Sequence, residues 1–243
     1  MLRSRKFSEF QKKSVPGLKV SGNAFFFGAE AELRARVKKK FIIFSLPEGE
    51  ICPTFFRMEN FNLEATPQAL FLDRDGTLIF DKDYLHEPER VELIPGTREA
   101  IQKALRAGCK LFLLTNQSGI GRGYFTMADY EACHRRFVEL LGISASDFSS
   151  CGVAPEAPDQ PSKYRKPEPA FVLEQLAAFP ELEPSRCWMV GDRKSDWQTG
   201  INARIRSVAV ATGKPIDEAA RNYLQENKIP LFNTFADFVK AAF

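Results

Sequence analysis

The sequence predicts an α/β protein in which a parallel sheet carries helices on both faces, in three layers. Apolar runs alternate with helical patterns from Ala69 to the C-terminus, as expected when crossover helices join the strands of one sheet. The apolar runs are short and show little alternation, as strands buried on both faces do. Each run stops at a polar or glycine-rich loop, and in open parallel sheets ligands bind beyond the carboxyl ends of the strands.

The first strand is Ala69-Leu70-Phe71-Leu72, which runs into Asp73-Arg74-Asp75-Gly76-Thr77. Pro95-Gly96-Thr97 leads into a helix over 98–107 with Ala100, Ile101, Ala104 and Leu105 on one face, and Gly108 stops it. A second strand, Lys110 to Leu114, delivers Thr115-Asn116-Gln117-Ser118-Gly119 into a loop. Thr126 with Asp129 three positions later reads as a capping box for a helix reaching about Leu141, burying Tyr130, Cys133, Phe137 and Leu140. The span from Thr115 to Lys166 is expected to hold that helix and one loop, too little for a large cap domain. A helix over 169–179 follows. The strand Cys187-Trp188-Met189-Val190 then runs into Gly191-Asp192-Arg193-Lys194-Ser195-Asp196. A helix over 195–203, a strand over 207–211 and a closing helix over 235–242 complete the order.

The first strand end is the most informative segment. Carboxylates at i and i+2 on an extended backbone project to the same side, so Asp73 and Asp75 stand together. Two such anions repel unless a cation or a shared proton lies between them. A divalent metal is the expected neutraliser, with Mg²⁺ favoured because it takes few protein ligands alongside substrate phosphate. Asp and Gly are also ordinary turn residues, so this segment alone does not separate a site from a strand-to-turn junction. The Thr115 loop, the cations of Tyr164-Arg165-Lys166-Pro167 and the Asp192 loop add three further groups in one order.

The four segments FLDRDGTLI, LLTNQSGIGRGYF, YRKPEP and VGDRKSD resemble the motifs of the haloacid dehalogenase (HAD) superfamily of phosphatases. The branch resembled holds heptose-1,7-bisphosphate 7-phosphatases, histidinol-phosphate phosphatases and polynucleotide 3′-phosphatases. The Asp-Arg-Asp form and Asp83-Tyr84-Leu85-His86-Glu87 point to the heptose enzymes. The resemblance covers Ala69 to the C-terminus and implies a Rossmann-like fold. It implies Asp73 as nucleophile, Asp75 as general acid and base, and Thr115 and Lys166 as holders of the phosphoryl oxygens. Asp73, Asp192 and the backbone carbonyl of Asp75 would bind Mg²⁺, with Asp196 in support. Arg74, Asp81, Tyr84, Asn116, Gln117, Ser118, Arg165 and Arg193 match substrate-contact positions. Arg165 is expected to grip a distal phosphate through a guanidinium fork.

The heptose and histidinol members carry a structural zinc loop. Only Cys151 remains here, with Val153, Ser162 and Tyr164 at the other three ligand positions. One thiolate cannot build a tetrahedral structural site, so no zinc is expected. Pro155, Pro158 and Pro161 suggest instead an extended polyproline stretch. The metal-free loop also resembles that of the polynucleotide 3′-phosphatases, although these carry Asp-Leu-Asp.

With 243 residues, the chain has room for one phosphatase domain over 67–243 and an N-terminal extension over 1–66. Residues 1–40 hold eleven Lys/Arg against three Asp/Glu, a local charge of +8, leaving −5 for the rest of a chain whose total is +3. The arm reads as a solvated extension, with nucleic acid an unexpected partner. Phe25–Phe27 and Phe41–Phe44 are too short to span a membrane, so no membrane partner is expected. Met58 opens a stretch of the length that normally precedes the first motif, so residues 1–57 are expected to be dispensable. Five cysteines without Cys-x-x-Cys spacing point to free thiols in a reducing cytoplasm, with Cys109 and Cys187 as buried filler. His86 falls within the substrate-loop match, and His134 is expected to be structural. The expected activity is Mg²⁺-dependent hydrolysis, by a monomer, of a small phosphorylated metabolite, with a heptose 1,7-bisphosphate as the expected substrate. Histidinol phosphate and DNA 3′-ends are the rival substrates, and a catalytically silent binding module is the rival class.

Overall fold

The structure, a computed structural model, describes residues 65–243. The expected extension over 1–66, except its last two residues, and the start at Met58 lie outside the described residues. Six strands form one sheet: β1 (Ala69–Leu72), β2 (Lys110–Asn116), β3 (Phe148–Ala154), β4 (Cys187–Gly191), β5 (Arg206–Val210) and β6 (Leu231–Phe232). Their order is β3-β2-β1-β4-β5-β6, and every pairing is parallel. The helices are α1 (Thr97–Arg106), α2 (Ser118–Gly121), α3 (Met127–Leu141), α4 (Ala170–Ala178), α5 (Lys194–Asn202), α6 (Glu218–Glu226) and α7 (Phe235–Ala242).

β1 is central, and its alternation divides the core. Leu70 and Leu72 join Ile101 and Ala104 of α1, Cys133 and Phe137 of α3, and Phe235 and Phe238 of α7 on one face. Ala69 and Phe71 join Phe171 and Val172 of α4 on the other, where Phe71 and Phe112 stack with centroids 4.6 Å apart. Both faces of the strand are therefore desolvated, which explains its unbroken apolar run. Trp197 of α5, Ala209 of β5 and Leu224 of α6 close a smaller cluster. Chain order runs outward from β1 to β2 and β3 on one side and to β4, β5 and β6 on the other. This reversal opens a crevice at the carboxyl ends of β1 and β4.

Thr126 does cap α3: its hydroxyl accepts from the Asp129 N–H, and the Asp129 carboxylate accepts from the Thr126 N–H. Leu140 is half-buried, and Leu141 takes the buried place expected of it. The segment expected to be only a loop contains edge strand β3, whose Ser149, Ser150 and Gly152 hide its pairing in the sequence. Short α2, helix α6 and the two-residue β6 were likewise not expected. The proline loop is not continuously extended. It turns at Pro158-Asp159, and Gln160 donates its N–H to the Ala157 carbonyl at 3.0 Å.

Cys109, Cys133 and Cys187 are buried free thiols, while Cys151 is free and exposed. No helix among the described residues is long and apolar enough to cross a membrane. His134 packs against Tyr130, Phe137 and Phe148 at centroid distances of 5.9, 6.0 and 6.5 Å, and its buried Nδ1 has no partner. Burial, helped by the Arg74 charge, pushes its pKa down from 6.5 to about 4. In the unfolded chain this imidazole takes a proton near pH 6.5, but in the folded chain only near 4. Acid therefore favours unfolding across that window. The loss of stability should be on the order of 1–2 kcal/mol, after discounting for partial exposure. Urea unfolding of wild type and His134→Phe at pH 7 and pH 4.5 tests this, because the variant should lose less stability between the two.

Candidate active site

Four segments converge where β1 and β4 end. Asp73 follows β1 directly, and its N–H donates to the Val190 carbonyl of β4 at 3.0 Å. The chain then turns at Gly76, whose φ is +87° and whose N–H donates to Ile79 at 2.8 Å. A Cβ at Gly76 would stand 2.7 Å from Asp192 Oδ2, so glycine is required by both conformation and space. The segment after β5 closes the same corner. Thr212 Oγ1 donates to the Gly76 carbonyl at 2.6 Å, and a Cβ at Gly213 would lie 1.9 Å from Asp192 Oδ2.

The centre is a buried charge cluster. Asp73, Asp192 and Asp196 are 6%, 2% and 1% exposed, and each offers an oxygen within 4.8 Å of the others. Lys166, from the loop before α4, donates from Nζ to Asp73 Oδ1 and stands 2.6 Å from Asp196 Oδ1. The buried Thr77 hydroxyl donates to Asp73 Oδ2 at 3.3 Å. Asp196 caps α5 through its Oδ2, which accepts from the Arg193 N–H at 2.9 Å. Asp192 Oδ2 accepts from the Lys214 N–H at 3.0 Å, and its buried Oδ1 has no partner.

The Lys166 ammonium thus faces three carboxylates, with the Arg193 guanidinium 3.6 Å from Asp192 Oδ2 at their edge. Burial drives Asp73 well above the usual carboxylate range, with Lys166 opposing and the charges of Asp196 and Asp192 adding to the rise. Asp192 is pushed up to about 6 by burial and then by Asp196. Burial works against the Lys166 charge, yet Asp196 and Asp73 hold its pKa above the ordinary lysine value. All three directions follow from an excess of buried negative charge, which a proton or a cation must offset. The orphaned Asp192 Oδ1 and the all-oxygen donor set fit a hard divalent cation.

Asp75 is held apart from this cluster. Arg74 Nε donates to its Oδ2 at 3.0 Å and Nη2 to its Oδ1 at 3.1 Å. Gln117 Nε2 donates to Oδ2 at 2.8 Å and to Thr115 Oγ1 at the same distance. Thr115 Oγ1 lies 3.4 Å from Asp75 Oδ2. Thr115 is the penultimate residue of β2 and is 1% exposed.

Several residues expected at the substrate are occupied otherwise. Arg74 is completely buried, with its guanidinium 4.9 Å from the Tyr130 ring centroid. Arg74 is closed to solvent in this structure, and both of its directed contacts go to Asp75. Asn116 clamps the Lys166 backbone, accepting from its N–H at 2.9 Å and donating to its carbonyl at 3.3 Å. Gln117 is 6% exposed and engaged with Asp75 and Thr115.

The other expected contacts sit at the rim. Arg165 donates to the Glu156 carbonyl at 3.1 Å. It joins Gln160, Ser162, Lys166 and Glu168 around an open cleft of about 370 Å³. Ser162 and Tyr164, which stand where the resemblance implied zinc ligands, donate to Glu156 and Glu174 at 2.6 Å each. Asp81 Oδ2 meets Arg193 at 2.7 Å and Lys214 at 3.3 Å. Tyr84 is 45% exposed, has a φ of +54° and packs edge-on against Tyr124 at 4.7 Å. Ser118 opens α2, and His86 Nδ1 pairs with the Tyr84 carbonyl at 2.8 Å.

Sequence reasoning missed Thr77, Tyr130, and the Thr212-Gly213-Lys214 corner. A signal for that corner was present, since the strand over 207–211 also ends in a hydroxyl, a glycine and a cation.

Carboxylates at the end of the central strand, a lysine on the first of them and further carboxylates beyond the adjacent strand thus stand in one place. Residues 163–238 match the family model described as HAD-hydrolase-like. Fold and site together define a phosphatase of the HAD superfamily.

Among curated relatives, the D-glycero-β-D-manno-heptose-1,7-bisphosphate 7-phosphatase of Helicobacter pylori strain J99 is 36% identical over 153 residues, 62% of this chain and 87% of that one. The Escherichia coli K12 protein of the same name is 35% identical over 162 residues, 63% of this chain and 84% of that one. Among solved structures, the D,D-heptose 1,7-bisphosphate phosphatase of B. bronchiseptica, complexed with magnesium and phosphate, superposes with a TM-score of 0.62. It is 25% identical, and the match covers 72% of this chain and 97% of that one. The chain belongs to the family of D-glycero-β-D-manno-heptose-1,7-bisphosphate 7-phosphatases.

Proposed function

We propose that this phosphatase removes the 7-phosphate of D-glycero-β-D-manno-heptose 1,7-bisphosphate through an aspartyl-phosphate on Asp73. The observation that carries the reading is the Asp73 carboxylate, fixed at the end of β1 between Lys166 and Thr77. The names of the relatives supply the substrate.

An oxygen of Asp73 attacks phosphorus, and the bond to the sugar oxygen breaks. Asp75 gives its proton to that leaving oxygen, then takes one from the water that attacks the aspartyl-phosphate. Phosphate departs and Asp73 is restored. Lys166 and the Thr115 hydroxyl offset charge on the equatorial oxygens. Asn116 keeps Lys166 in place through its backbone. Asp73, Asp192 and the carbonyl of Asp75 would hold Mg²⁺. Once bound, the ion supplies positive charge and orientation to the phosphoryl group. Asp196 positions Lys166.

Arg165, beside the cleft, takes the distal phosphate. Arg165→Ala should cost a bisphosphate roughly 10- to 100-fold in kcat/KM, the scale of charge-assisted hydrogen bonds, and a monophosphate far less. Equal losses would remove Arg165 from that role. The proposal itself is tested by phosphate release from the heptose bisphosphate, histidinol phosphate and a 3′-phosphorylated oligonucleotide, each with Mg²⁺ and with chelator. Preference for the heptose, abolished by chelation, supports it. Preference for either other substrate overturns it.

A further inference from the structure

We infer that Arg74 is a positioning residue that aims the proton-handling oxygen of Asp75, and that it acts through Asp75 without touching substrate. The inference rests on the reading of Asp75 as general acid and base. Arg74 is fully buried, so substrate cannot reach it, yet its guanidinium forks onto both oxygens of a carboxylate at the site.

The Asp75 oxygens are not equivalent. Oδ2 is surrounded by Arg74 Nε at 3.0 Å, Gln117 Nε2 at 2.8 Å and Thr115 Oγ1 at 3.4 Å. Among the described residues, Oδ1 meets only Arg74 Nη2, at 3.1 Å. A carboxylate oxygen offers about two lone-pair sites, so Oδ2 is saturated and Oδ1 keeps one free. The Asp75 side chain is 20% exposed, which leaves Oδ1 the oxygen able to give and take the proton.

A fork of two parallel hydrogen bonds fixes the carboxylate plane as a single contact cannot. Arg74 is itself fixed, with the Tyr130 ring 4.9 Å from its guanidinium carbon and Tyr130 buried at 4% exposure. Its Nη1 is buried without a protein partner, so the guanidinium spends its two directed contacts on Asp75 alone. The packing of α3 is thereby connected to the orientation of a group at the end of β1. A misaimed acid loses rate in proportion to how much the leaving group needs a proton, which makes leaving-group dependence the diagnostic.

The test uses Arg74→Met and Arg74→Lys in the full chain, with the heptose bisphosphate (an alkoxide leaving group) and p-nitrophenyl phosphate (a leaving group stable without protonation). Arg74→Met should lower kcat on the sugar phosphate by about 10²-fold, at the lower end of acid–base contributions, with KM little changed. On p-nitrophenyl phosphate the loss should stay below about 10-fold, because protonation then contributes little of that same factor. Arg74→Lys should recover part of the sugar activity. In an Asp75→Asn background, Arg74→Met should add no further loss.

Equal loss on both substrates, or a raised KM with kcat intact, would overturn the inference. If Arg74→Met does not fold, Gln117→Met removes the other strong donor to Oδ2 and must show the same leaving-group pattern, or the inference fails. Full activity of Asp75→Asn on the sugar phosphate would instead sink the acid–base reading beneath it. An inactive Asp75→Asn with uniform Arg74 losses would sink only this inference.

Discussion

Replacing Asp73 with asparagine is expected to lower kcat by roughly 10⁵- to 10⁶-fold, the scale seen when a covalent nucleophile is removed. The amide is nearly isosteric but cannot attack phosphorus, so the aspartyl-phosphate cannot form. The same change should leave the fold intact and even strengthen it in the absence of metal. Asp73, Asp192 and Asp196 together carry more negative charge than Lys166 offsets, and the substitution removes one of the repelling groups. Thermal unfolding in chelator should show Asp73→Asn at least as stable as wild type. A variant both inactive and markedly destabilised would mean that the cluster is balanced in some other way.

Lys166→Met is expected to act in the opposite direction on stability and in the same direction on rate. The ammonium is buried and contacts both Asp73 and Asp196. Without it, three buried carboxylates remain with the Arg193 guanidinium 3.6 Å from Asp192 Oδ2, and breaking such a buried pair costs about 3–5 kcal/mol. Protonation of the carboxylates relieves part of this, so the loss should be larger at pH 8 than at pH 5. The lost charge stabilisation of the phosphoryl oxygens should add a fall of about 10²- to 10³-fold in kcat. Urea unfolding at the two pH values, together with steady-state kinetics, checks both halves. Unchanged stability at pH 8 would contradict the charge count.

The ends of β1, β2 and β4 were legible because strands buried on both faces leave an unbroken apolar signal that stops where the polar groups begin. α3 was legible from its cap and clear apolar face, and α7 carries the same signals in the Thr234 cap and buried Phe235, Phe238 and Val239. β3 was not, because an edge strand tolerates Ser149, Ser150 and Gly152 and shows no apolar run. α6 buries only Leu224 among its nine residues, so its periodicity gave little to find.

Within the site, residue types at strand ends located the cluster, but side-chain direction decided what each residue touches. Arg74 is the clearest case. Its side chain is buried and forks onto Asp75, whereas the match by position had placed it at the substrate. Asn116 and Gln117 show the same effect one strand away. Both are polar groups at a strand end, and both are used to hold Lys166 and Asp75. No sequence pattern distinguishes a polar residue that contacts substrate from one that supports its neighbour. The Thr212-Gly213-Lys214 corner follows the same strand-end pattern of hydroxyl, glycine and cation, but its contribution to Asp192 is a backbone N–H, so side-chain chemistry alone did not point to it.

The central claim is a covalent phosphoryl group on Asp73. Enzyme quenched in acid during turnover of the heptose bisphosphate, reduced with borohydride and digested, should yield the β1 peptide with Asp73 converted to homoserine, and Asp73→Asn should yield none. Conversion at another carboxylate, or an unmodified β1 peptide from enzyme trapped while turning over, would contradict the account.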